Sequence, residues 1–183
     1  MDTYINLAKQ SIENYIKTGA IIELPKDLPN EFYDRRAGVF VTIKKSGELR
    51  GCIGTFLPTR KNIGEEIISN AISAATQDYR FPLIAENELS ELKYEVSILS
   101  KPEQIEITEN PAEFSEEKFR QARLNPKKYG VIIKTNDGRS GLLLPDLEGV
   151  DSVEKQISIA CQKAGINLKS DKIILYKFTV EKH

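Results

Sequence analysis

One histidine, two cysteines and no tryptophan occur in 183 residues, and each shortage closes off some chemistry. The histidine is His183, the final residue, where chains commonly fray. A Cys-His nucleophilic pair or a His/Cys zinc site therefore requires that end to fold back into a cleft, and no metal site is expected. Ser97 has no second histidine to serve it, which argues against a hydrolase triad. Charge is balanced as well: 26 Lys and Arg against 27 Asp and Glu leave no global field to attract a polyanion, so nucleic-acid binding has no compositional support. The opening residues MDTYINLAKQ lack a basic stretch followed by an apolar run, and no segment approaches the roughly 20 apolar residues that cross a bilayer. The expectation is a cytoplasmic protein with two free thiols.

What is present is ordinary globular material, 40% apolar and 29% charged, enough for one full core or two small lobes. Thr3 to Thr18 carries Ile5, Ala8, Ile12 and Ile16 at helical spacing and stops at Gly19. A short strand is expected at 20–24, then a proline-bearing loop to Asn30. Gly38 to Lys44 and Leu49 to Phe56 are strand-like runs around the turn residues 45–48, a hairpin. Asn62 three residues before Glu65 starts a helix with the stripe Ile63, Ile67, Ala71, Ala74 and Ala75, ending near Gln77. Lys93 to Ser100 alternates as a half-buried strand, and Asn110 to Leu124 reads as a charged surface helix. Asn136-Asp137-Gly138 joins a second hairpin. A helix capped at Asp151 and ended by Gly165 follows, carrying Cys161 on its apolar face, and Lys172 to Val180 closes the chain as a strand. The order hairpin, helix, strand occurs twice, with GVFV echoed by GVII and FLP by LLP; it is read as a common arrangement adopted twice, in an α+β fold.

The stretch ELRGCIGTFLP is unusual, placing Arg50, Gly51 and Cys52 in a row with Gly54 two places on. Glycine weakens a strand interior, so its clustering here calls for close backbone approach. Strand parity puts Arg50, Cys52 and Gly54 on one face and Gly51 on the other, with the guanidinium and the thiol sharing a surface. A cation beside Cys52 favours the thiolate; a small strand cysteine packed between glycines is the competing reading.

LRGCIGT, the helix followed by DYRFP, then YEVSIL, GLLLP and CQKAG, in that order, resemble the AMMECR-type domain family over nearly the whole chain. The resemblance implies one α+β domain over 1–183, with a central, largely antiparallel sheet in two unequal lobes and the signature residues near a cleft. It carries no settled activity and names no cofactor, but implies Memo-type and radical S-adenosylmethionine proteins as partners in a modification pathway. Its signature falls on Arg50, Gly51, Cys52, Ile53 and Gly54, on Asp78, Arg80 and Phe81, on Glu95 and Ser97, and on Gly141, Leu144 and Pro145; Tyr79 stands where the family often has proline.

Two classes of function follow. In the first, a small or anionic ligand is bound, and possible catalysis uses Cys52 as nucleophile or ligand. Arg50 and Arg80 orient the anion, Gly51, Gly54 and Ser97 line the site, and Asp78 or Glu95 moves protons. In the second, the same residues build a non-catalytic scaffold or adaptor surface, with Asp78 and Arg80 as a helix-end ion pair. Nucleic-acid binding through Arg120, Arg123, Lys127 and Lys128 ranks last. No residue specifies an oligomeric state.

Overall fold

A computed structural model describes residues 2–105 and 123–183. The helix expected at Asn110 to Leu124 falls largely on 106–122, outside the described residues, as does Arg120. In chain order the elements are α1 (Thr3–Thr18), α2 (Glu31–Asp34), β1 (Val39–Lys45), β2 (Glu48–Gly54), α3 (Ile63–Thr76), a 3-10 turn (Glu86–Glu91), β3 (Leu92–Leu99), β4 (Glu103–Ile105), β5 (Gly130–Thr135), β6 (Ser140–Leu143), α4 (Val153–Lys163), β7 (Ile173–Phe178) and β8 (Val180–Lys182). The fold is α+β with two antiparallel sheets, each in its own compact unit: Met1–Leu99 with Glu181–His183, and Ser100–Val180.

In the first unit the strand order is β2-β1-β3-β8. Asp2 caps α1, its Oδ1 accepting from the backbone N–H of Tyr4 at 2.8 Å and Ile5 at 3.2 Å, and Gly19 ends it at φ 74°. Asn62 caps α3 by accepting from Glu65 N at 2.9 Å. Leu7 and Ile12 of α1 and Ile63 and Ile67 of α3 close over Val39, Val41, Ile43 and Val96 as one buried core. The strand expected at 20–24 does not form: the segment joins no ladder, and Ile21 is exposed. His183 does not fray. It exchanges both backbone hydrogen bonds with Val96, stacks on Tyr4 at 4.0 Å, and places its ring nitrogens 3.0 Å from Asp2 and 3.3 Å from Glu181.

In the second unit the order is β4-β7-β5-β6, with α4 packed on β5 and β6 around Val131, Ile133, Ile157, Ala160, Cys161 and Leu175. Burial pushes the Cys161 thiol up to about 11, as for a packed core cysteine. Two expectations shift here. The cap of α4 is Ser152, which accepts from Lys155 N at 3.2 Å, one residue beyond Asp151. The closing strand divides at Thr179, which is tied through its N–H and C=O to Ser100; β7 stays in this sheet and β8 joins the first.

The repeated order seen in the sequence is a repeated topology. Each unit pairs the first strand of a hairpin with the strand that follows the helix, β1 with β3 and β5 with β7. Each also seats its helix on a glycine of the second hairpin strand. A Cβ on Gly51 would lie 2.4 Å from the Ala74 carbonyl oxygen of α3, and one on Gly141 would lie 1.9 Å from that of Ala160 in α4. The spacing that looked wasteful in a strand is where helix backbone and sheet backbone touch.

Candidate functional site

β1 is the middle of the site. Its Thr42 stands between Cys52 on β2 and Glu95 on β3, and its Phe40 between Gly54 and Ser97. Because alternate residues share a face, Cys52, Gly54, Glu95 and Ser97 line the side of the sheet opposite the Val39, Val41 and Ile43 core. Cys52 and Glu95 are two strands apart, roughly 10 Å across Thr42. Cys52 is partly exposed, with its Sγ 3.2 Å from Thr42 Oγ1. Glu95 binds Lys44 Nζ at 2.6 Å. Gly54 leaves room for the Phe40 ring, which would lie 2.3 Å from a Cβ there.

Arg50 falls outside the simple alternation. The β1–β2 register steps from Ile43↔Gly51 to Lys44↔Leu49, so Arg50 is the extra residue of a bulge, and bulges redirect side chains. Its guanidinium meets Glu88 through Nε at 3.1 Å and Nη2 at 2.9 Å, and donates to the carbonyls of Pro82 at 2.8 Å and Leu83 at 3.2 Å. The guanidinium is thus engaged by Glu88 and the 82–83 backbone rather than by the Cys52 thiol. That fork, with the Ala85 N–H and Lys45, holds the Glu88 carboxyl at about 2.

The arginine next to Cys52 is Arg80. Asp78 takes Arg80 Nε at 2.8 Å and Nη2 at 2.7 Å, and its Oδ2 also accepts from Cys52 N at 2.9 Å. Arg80 Nη2 reaches the Cys52 carbonyl oxygen at 3.3 Å. The Asp78 side chain is 3% exposed, and the Arg80 fork, against the opposing effect of burial, holds its carboxyl at about 2. It is ionised and saturated with donors at neutral pH. Arg80 is raised in turn, first by its hydrogen bonds to Asp78.

The sequence reading missed Glu66. This α3 carboxylate is fully buried and accepts from Thr55 Oγ1 at 2.7 Å, Thr59 Oγ1 at 2.8 Å, and the N–H of Thr59 and Arg60 at 2.7 Å each. Burial pushes its pKa up, but the donors from Thr55, Arg60 and Thr59 outweigh it and the net shift is down. Asn70, one turn on, donates to the Val39 carbonyl at 2.9 Å. Glu66 thereby fixes the loop that leaves Gly54.

The AMMECR1 family model matches residues 5–183. The chain belongs to the AMMECR1 family. It is 49% identical over 182 residues to a Thermotoga maritima protein, covering 98% of this chain and 96% of that one. A Clostridium acetobutylicum protein is 44% identical over 183 residues, and there the chain spans only 36% of the relative's length. The crystal structure of uncharacterized protein PH0010 from Pyrococcus horikoshii superposes with a TM-score of 0.84 at 35% identity, covering 98% of this chain and 88% of that one.

Within the AMMECR1 signature, RGC and DYR thus form one hydrogen-bonded unit, and GLLLP holds the glycine that seats α4. Of the basic run, Lys127 lies near Asp146 and Asp151 at 3.8 and 4.0 Å, and Lys128 sits over the Tyr129 ring. Glu88 could have been suspected as a carboxylate eight residues beyond Arg80. Glu66 and Asn70 were signalled by sitting on the apolar stripe of α3, between Ile63 and Ile67 and beside Ala71. No helix among the described residues is long and apolar enough to cross a membrane.

Proposed function

We propose that this AMMECR1-family chain is a protein-docking module acting in the cytosol, with the segment 78–84 as its recognition surface. The observation that carries this reading is where the charged groups spend their hydrogen bonds. Arg50, Asp78, Arg80 and Glu88 bind one another and the local backbone, while the side chains between them face solvent: Tyr79 is 95% and Leu83 67% exposed. Large apolar side chains on a braced segment give up little conformational freedom on binding, the property of interface anchors. The Clostridium relative, in which such a domain is about a third of a longer protein, fits a module that works beside others. Memo-type and radical S-adenosylmethionine proteins of the same genome are the partners to titrate first. Tyr79→Ala and Leu83→Ala are each expected to weaken binding about tenfold or more by isothermal calorimetry, with the melting midpoint unchanged because both side chains are exposed. Equal affinity of the double variant sinks the reading.

A second reading rests on Cys52, whose partly exposed side chain shares a face with Thr42, Glu95 and Ser97 and whose backbone carbonyl accepts from Arg80. On this reading the face binds a small anion and the thiol takes part. It requires iodoacetamide to alkylate Cys52 with a pH profile displaced from that of free cysteine, followed by mass spectrometry of that peptide. A coincident profile removes it.

A further inference from the structure

Among the described residues β2 is an edge strand: in the order β2-β1-β3-β8 it has β1 on one side and no described strand on the other. Such an edge offers backbone donors and acceptors to any incoming strand, and soluble proteins protect it with bulges, prolines, charges or a covering loop. All four devices meet at β2. Arg50 is a bulge residue. The segment 78–84 runs alongside in the opposite sense, with Asp78 and Arg80 at Cys52, and Pro82 and Leu83 at Arg50. Pro82 has no N–H to offer, and Ile84 N donates to Ala75 O at 3.1 Å, fixing the far end of the segment to α3.

At Cys52 the protection is atom for atom. The backbone N–H and C=O that a neighbouring strand would use are taken by the Asp78 carboxylate and the Arg80 guanidinium, and the two side chains are themselves joined in a fork. The pair imitates one residue of a strand without continuing as one. The second unit has a simpler counterpart. Leu142 occupies on β6 the place that Cys52 has on β2, opposite Ile132 as Cys52 is opposite Thr42, and its carbonyl accepts from Lys163 Nζ at 3.4 Å.

We infer that the Asp78–Arg80 fork is an edge guard, whose role is to keep β2 from pairing with the β2 edge of a second copy of this chain. The inference stands apart from the docking reading, which concerns Tyr79 and Leu83 on the outer side of the same segment. It accounts for the joint presence of RGC and DYR without assigning chemistry to either.

The test compares the unsubstituted chain with Arg80→Ala and with Asp78→Ala/Arg80→Ala by sedimentation velocity across a concentration series, with amide hydrogen exchange on the same samples. Both variants are expected to sediment as larger species than the unsubstituted chain at equal concentration. The Cys52 amide, unguarded in the double variant, is expected to exchange faster at low concentration and to regain protection as the chains associate. If the double variant loses its folded circular dichroism, Arg80→Ala carries the test, because that side chain is 46% exposed and Asp78 keeps the backbone N–H donors of Cys52 and residue 80. Folded variants that sediment like the unsubstituted chain overturn the inference, as does association without protection on β2. Tyr79→Ala is expected to leave sedimentation unchanged, so the guard and the docking reading fail separately.

Discussion

Glu66→Ala is expected to lower stability by about 3 to 5 kcal/mol, because orphaned buried donors cost about 1 to 3 kcal/mol each and the two backbone N–H groups of Thr59 and Arg60 cannot rotate to new partners. For a chain of this size that is a fall of roughly 10 °C in melting midpoint. Glu66→Gln keeps the shape but sets an NH2 group against donors, so it is expected to lose a smaller but still clear part of the same stability. The pH dependence has a definite sign. The folded pKa of Glu66 is lowered from its ordinary 4.5, so the carboxylate's contribution is complete above that value and is lost as pH falls through the lowered one. The gap between the unsubstituted chain and Glu66→Gln should therefore be flat through the neutral range and close in acid, as followed by thermal melts at stepped pH. A glutamine variant that melts with the unsubstituted chain at pH 7 would show that the loop 55–60 does not depend on the carboxylate.

Local periodicity made much of the fold legible. The limits of α1 and α3 follow from the spacing of Ile5, Ile12, Ile63 and Ile67 and from the cap residues Gly19 and Asn62, since helix ends are decided by neighbours in sequence. Both hairpins were readable for the same reason. The division of 173–182 between two sheets was not, because it depends on Thr179 meeting Ser100, residues far apart in the chain. The site shows the same boundary between local and distant information. Parity placed Cys52, Gly54, Glu95 and Ser97 on one face, as the registers have them. Parity also placed Arg50 there, but a bulge, invisible in a single strand's sequence, interrupts the alternation at that residue, and its guanidinium meets Glu88. The guanidinium that meets the Cys52 backbone belongs to Arg80, in a segment beyond α3, and the donors that Glu66 takes from the 55–60 loop depend on a loop conformation that the helical pattern does not reveal.

Gly51→Ala and Gly141→Ala are expected to be among the most damaging single substitutions in their respective units, although each adds one methyl group. Neither glycine has the left-handed backbone that would make any side chain strained, so the effect isolates close approach. On Gly141 the new Cβ would lie 1.9 Å from the Ala160 carbonyl oxygen, 2.8 Å from its carbon and 3.2 Å from Ala164 Cβ. The first two are backbone atoms of α4 and cannot rotate away, so the helix must lift from β5 and β6 and open the contacts of Ile157 and Ala160. Overpacking that moves backbone costs about 3 kcal/mol, and the Gly141 clash places it at or above that figure. Gly51 should follow in the same direction with a smaller loss, since its Cβ would stand 2.4 Å from the Ala74 oxygen and 3.4 Å from its carbon, a milder clash with helix backbone. Hydrogen exchange separates the two outcomes. Gly141→Ala should loosen the β5, β6 and α4 amides, and Gly51→Ala those of β2 and the last turn of α3. Exchange and melting unchanged in Gly141→Ala would mean that α4 does not rest on β6, and the equivalence of the two units would lose its physical basis.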